Sequence, residues 1–223
     1  MTESLSAAPA SPGRRLRLAG EFALLFLVAP AIQFTFFGTL GVFGPIATVC
    51  AVALVLLHFT PGWAWRELVD FRGLLRWLPF IAGFTLVASA VMAAVVLWQQ
   101  PGAFLSMPAQ RTELWLAILA LYPLLSVLGQ EIVFRPLFFR RYGFLLGGAW
   151  QRIVVNAAVF SLAHLFYQNW IALCLTFLGG AAFAYAYEKS GSFPVVFLMH
   201  MLAGQALFTL GLGTFFYHGA IPG

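Results

Sequence analysis

The stretch that decides how this chain is read is Leu128-Gly129-Gln130-Glu131-Ile132-Val133-Phe134-Arg135. It places a carboxylate deep inside an apolar run, and Glu131 is the one acidic residue so placed. A charge in a bilayer is costly, so an intramembrane glutamate points to a functional site with a nearby partner. Arg135 is that partner by spacing, because residues four apart share a helix face. Two later apolar segments each carry an imidazole, His164 and His200.

Composition sets the class around this stretch. Of 223 residues, 62% are hydrophobic and only 9% charged. Soluble domains carry roughly 25% charged residues. The chain therefore reads as an all-α polytopic membrane protein with no soluble domain of any size. The net charge of +5 gives no nucleic-acid signal, since the basic residues cluster at segment ends. Cys50 and Cys174 both lie in apolar segments and imply no disulfide framework.

Seven apolar stretches can be drawn, at about 19–37, 40–59, 73–99, 112–134, 150–167, 170–187 and 193–217. Gly38, Pro61-Gly62, Pro101-Gly102, Arg140-Arg141, Gln168-Asn169 and Ser190-Gly191-Ser192 separate them. The segment 142–150 is apolar and glycine-bearing. If it re-enters the bilayer, the count becomes eight. Residues 1–18 read as a disordered cytoplasmic tail and 19–217 as one transmembrane bundle, with the catalytic-type core at about 112–217.

With the N-terminus inside and the spans alternating, Arg111 is the one basic residue of twelve that falls outside. That distribution satisfies the positive-inside rule and predicts a cytoplasmic N-terminus. The same drawing puts Glu131 near the inner end of span four and His164 near the outer end of span five. Those two depths conflict.

Chemically, an ionised Glu131 held by Arg135 can act as a general base on water. One histidine can position the water or shuttle its proton, and the other can donate to an oxyanion. Such parts suit peptide-bond hydrolysis without a covalent intermediate. Asn156, Phe160 and His164 fall on one helical face at i, i+4 and i+8, and Gly204 follows His200 by one turn. A zinc set of Glu131, His164 and His200 is an open alternative to a cofactor-free site. No His-Glu-x-x-His run and no serine elbow is present. His58 reads as interfacial, and His218 has no assigned role.

These motifs resemble the CAAX protease and bacteriocin-processing family of intramembrane proteases, also called the Abi family. That family carries Glu-Glu-x-x-x-Arg, then Phe-x-x-x-His, then His-x-x-x-Asn. This chain has Gln130-Glu131-Ile132-Val133-Phe134-Arg135, Phe160-Ser161-Leu162-Ala163-His164 and His200-Met201-Leu202-Ala203-Gly204. Two positions depart from the pattern. Gln130 stands where the family has its first glutamate, and Gly204 stands where it has asparagine. Gln205 or Asn156 are candidates to supply the missing amide.

The resemblance implies a glutamate-dependent intramembrane endopeptidase. Glu131, His164 and His200 are then the expected catalytic set, and Gln130, Arg135, Phe160 and Asn156 support it. The expected substrate is a membrane-anchored protein or a peptide bearing a C-terminal signal. The expected location is a bacterial plasma membrane, with the lipid bilayer as partner and no nucleic acid. Two alternatives stay open: a catalytically degenerate adaptor or immunity protein on the same scaffold, and a proton-coupled transporter.

Overall fold

The structure is a computed structural model that describes residues 11–216. The expected residues 1–10 of the tail, His218 and the end of the last segment lie outside the described residues. Seven principal helices stand among those described: α1 Pro12–Thr35, α2 Phe43–His58, α3 Leu74–Gln99, α4 Thr112–Leu145, α5 Ala149–Leu162, α6 Trp170–Ser190 and α7 Phe193–Leu210. No strand occurs among them. By length and apolar composition, α1, α3, α4, α6 and α7 can cross a membrane, which makes five. The α2 helix is apolar but only 16 residues long, and α5 has 14. The seven apolar stretches are therefore seven helices, of which five have full spanning length.

Helix α1 starts earlier than the hydropathy suggests. Ser11 caps it by accepting from the Arg14 backbone N–H, and Pro12 sits in the first turn, where its missing N–H costs nothing. Residues 12–18 are thus two turns of helix and not part of a tail.

Helix α4 is the main departure from the expected boundaries. Its apolar run ends near residue 134, yet the helix continues to Leu145. Proline lacks an N–H, and its ring collides with the carbonyl one turn back. Two stretches of α4 relieve this by widening to π-type turns, Pro123–Val127 and Val133–Tyr142, the second containing Pro136. Glu131 stands in the ordinary turn between them, Leu128–Ile132. Arg140 and Arg141 are helical residues and not breakers. The segment 142–150 is the end of α4, a short turn and the start of α5.

This length removes the conflict in depth. Glu131 lies 14 residues before the end of α4 at Leu145, and His164 lies 15 residues after the start of α5 at Ala149. The two helices meet at that end, so both residues reach the same level.

Ion pairs gather at that same end. Arg141 on α4 pairs with Glu21 on α1 at 2.7 Å and donates to Thr60 Oγ1 at 3.3 Å. Arg140 pairs with Glu67 in the α2–α3 connection, and Arg152 on α5 pairs with Glu188 on α6. Five parts of the chain are tied together there. His58, at the end of α2, packs against the rings of Phe59 and Trp65.

Aromatic packing holds the interior. Phe26, Phe134, Phe138 and Tyr142 interlock edge to face between α1 and α4, and Phe134 meets Phe160 of α5 the same way at 5.0 Å. Such edge-to-face pairs add to area burial. The α5 and α6 helices run closely together. Gly180 makes this possible, because a Cβ there would sit 2.9 Å from the Phe160 ring and 3.4 Å from the Ala157 Cα. The small-residue run Gly179-Gly180-Ala181-Ala182 is thus a packing face. Cys50 and Cys174 are both free thiols.

Candidate active site

The sequence motifs converge from three helices, α4, α5 and α7. Glu131 on α4 is fully buried and has both carboxylate oxygens engaged. Arg135 Nε donates to Oε2 at 3.0 Å, and His200 Nδ1 donates to Oε1 at 2.8 Å. The first contact follows from i, i+4 spacing. The second joins α4 to α7 across 69 residues of sequence.

Arg135 is equally buried, and its charge is met on several sides. Nη1 donates to Asn156 Oδ1 and to the Phe134 carbonyl. Asn156 in turn donates through Nδ2 to the same carbonyl at 2.7 Å. The guanidinium also lies against the rings of Phe160 and Phe183, at 5.3 and 5.7 Å from their centroids. A cation on aromatic faces is attracted by the ring quadrupoles. Nη2 has no hydrogen-bond partner. The bonds of Nε and Nη1 offset part of the cost of burying this ion pair.

His200 continues the chain. Its Nε2 lies 3.2 Å from the Tyr122 hydroxyl, and Phe183 stacks on its ring at 5.0 Å. The bonded sequence is therefore Tyr122, His200, Glu131, Arg135, Asn156. With Nδ1–H given to Glu131, the neutral imidazole offers its Nε2 lone pair to the Tyr122 hydroxyl.

His164 belongs to a different part of the site. Its Nδ1 lies 2.7 Å from the Phe160 carbonyl. A carbonyl only accepts, so Nδ1 carries the proton and Nε2 is left as a bare lone pair. The ring packs on Phe160 at 4.8 Å.

Two cavities flank this region. One, of about 250 Å³, is lined by residues including Tyr122, Gln130, His164, Phe183, His200 and Gly204, and its far wall is apolar, from α3 and α6. The other, of about 100 Å³, lies toward α1 and α2. Ser126, Gln130, His164 and Tyr167 line both. Glu131 lines neither. Neighbours on a helix point about 100° apart, so when Glu131 faces His200 the wall position falls to Gln130. The Gln130 amide donates to Ser126 Oγ at 2.8 Å, and its Oε1 is buried without a hydrogen-bond partner.

The expected site residues are thus gathered in two layers. Gln130, His164 and His200 stand at the cavity, while Glu131, Arg135 and Asn156 stand behind it, with Phe160 lining the cavity and backing Arg135. Neither candidate for the missing amide at 204 serves that purpose. Gln205 donates to the Leu119 carbonyl at 2.9 Å, and Asn156 is held by Arg135 and Phe134. Tyr122 and Phe183 are the contributors that motif reading misses. Both are ordinary aromatic residues in apolar runs, and no local spacing marks them.

The donors do not suit the zinc alternative. Among the described residues, no three His, Cys, Asp or Glu side chains gather closely enough to hold a metal. The Glu131 oxygens are taken by a guanidinium and an imidazole N–H, both unfavourable beside a cation.

The fold and these residues define a helical membrane protein with a buried acid–imidazole–guanidinium chain beneath an apolar cavity. Residues 111–204 match the family model described as Rce1-like, Type II CAAX prenyl endopeptidase Rce1-like. The matched segment runs from α4 to Gly204 and contains all three motifs, so it carries the same resemblance that they do. No curated protein and no solved structure matches the chain. The family is one of endopeptidases, and together with the long apolar helices it identifies an integral membrane protein.

Proposed function

We propose that this chain is an intramembrane endopeptidase that hydrolyses a peptide bond with activated water. The observation that carries the reading is that His164, Gln130 and His200 line one cavity, with His200 itself held by buried Glu131. His164 Nε2 and Gln130 Oε1 are two acceptors, and two acceptors suit the two O–H bonds of one water.

In the reaction the water oxygen bonds to the scissile carbonyl carbon while a water proton passes to His164 Nε2. The carbonyl π pair moves to its oxygen, which lies toward His200. Collapse breaks the C–N bond, and the proton on His164 goes to the leaving amine. Glu131 supports this from behind. Its charge, balanced by Arg135, orients the His200 ring. This assigns Glu131 a supporting electrostatic part and gives the water to His164.

The apolar wall of the larger cavity fits a hydrophobic segment beside the scissile bond. We take the substrate to be a membrane-anchored protein or a C-terminal-signal peptide, in a bacterial plasma membrane, with the N-terminus cytoplasmic. The ion pairs and arginines at one end of the bundle favour that orientation. The test is cleavage of a membrane-anchored peptide library by the purified protein in liposomes. Products from the wild type and none from His164→Ala or Glu131→Ala are expected. Equal cleavage by wild type and both variants defeats the reading.

One observation favours a second reading, a non-catalytic adaptor or immunity protein on the same scaffold. The side chain beside His164 is an amide, and the nearest carboxylate is closed off from the cavity. That reading requires Glu131→Gln, if it folds, to keep full biological activity.

A further inference from the structure

Tyr122 is a half-buried polar residue that no motif includes. It comes from α4, two turns before Gln130, and lines the larger cavity. Its hydroxyl meets His200 Nε2 at 3.2 Å, and its ring packs edge to face on Phe208 at 5.4 Å. The ring occupies the space beside Gly204. A Cβ at 204 would overlap the far end of the Tyr122 ring, including its hydroxyl. Glycine at 204 is therefore what admits the phenol to His200.

Resting on the hydrolytic reading above, we propose that the Tyr122 hydroxyl is the oxyanion donor of this site. His200 has one N–H when neutral, and Glu131 takes it. Its other nitrogen is an acceptor and cannot stabilise negative charge. The O–H that it accepts, from Tyr122, is the donor at that end of the cavity. As charge develops on the carbonyl oxygen, this O–H turns from His200 Nε2 to the oxyanion. One hydrogen bond is exchanged for a stronger, charge-assisted one, and no covalent bond is broken. His200 then orients the donor, and Glu131 orients His200.

The experiment is a double-mutant cycle of Tyr122→Phe and Gly204→Ala, read by kcat and KM and by the 15N signal of His200 in selectively labelled protein. Tyr122→Phe keeps the ring and removes only the hydroxyl. It lowers kcat about a hundredfold, as loss of one oxyanion donor does, with KM within about threefold. Gly204→Ala pushes the flexible end of the tyrosine aside and gives a similar loss. Because both act through one hydroxyl, the double variant is no worse than either single variant. The His200 Nε2 signal moves in both single variants.

Unchanged kcat in Tyr122→Phe, or additive losses in the double variant, overturns the proposal. An unmoved His200 signal overturns it as well. If the wild type cleaves no substrate but the His200 signal still moves in Tyr122→Phe, the hydrolytic reading fails while the hydroxyl's place on His200 stands.

Discussion

His200 gives its Nδ1–H to Glu131 Oε1 at 2.8 Å, and this bond fixes α7 against α4 at the depth of the cavity. Glu131 cannot leave it without exposing a buried guanidinium, because its other oxygen holds Arg135 at 3.0 Å. The carboxylate is thus both a brace between helices and the source of charge behind the site.

Arg135→Ala leaves Glu131 buried beside an imidazole with no cation. Removing one partner of a buried pair costs about 3–5 kcal/mol. Arg135→Lys keeps the charge but loses the planar fork that serves Glu131 and Asn156 together, and it loses the stacking between two rings. Unfolding in mixed micelles will rank wild type above Lys and Lys above Ala. A lysine variant as stable as the wild type contradicts this geometry.

Glu131→Gln separates structure from chemistry when combined with a second change. Alone it strands the Arg135 charge and destabilises the bundle. Together with Arg135→Met, which removes that charge and keeps an apolar body between Phe160 and Phe183, most of the stability returns. Peptidase activity stays lost in both, since His200 has no anionic partner. Stability and cleavage measured on the same preparations check the split.

His164→Ala acts in the opposite sense. It removes one hydrogen bond to the Phe160 carbonyl, a net contribution of about 1 kcal/mol, and leaves the buried ion pair intact. Cleavage is abolished while the melting profile stays near that of the wild type. A large loss of stability would show that the imidazole is chiefly a packing residue.

Gln130→Glu puts a carboxylate at the cavity wall beside His164 with almost no change of shape. A base of that kind next to the attacking water raises kcat, by at least about tenfold. No gain in cleavage would show that the amide is already the side chain this site uses.

Gly180→Ala tests the α5–α6 contact. The added methyl meets the Phe160 ring at 2.9 Å, and Ala157 at 3.4 Å blocks retreat. Overpacking of this kind costs about 1–3 kcal/mol. Because Phe160 also backs Arg135 and His164, activity falls with stability.

The sequence by itself determined the membrane class, the positions of the seven apolar helices and the Glu131–Arg135 pair. All three are local properties: apolar length, breaker residues and i, i+4 spacing. The order of motifs carrying Glu131, His164 and His200 was also legible, because helix faces follow from residue spacing alone. Tertiary structure decided the rest. It carried α4 past its last apolar turn through Pro136, which brought Glu131 and His164 to one depth. It also chose the rotation of α4, turning Glu131 inward to His200 and leaving Gln130 at the cavity. That rotation depends on π-type turns and on what α5 and α7 present, neither of which is written in local spacing. Tyr122 lies 82 residues from Gly204, and only packing shows that the glycine's missing side chain is replaced by a phenol from another helix.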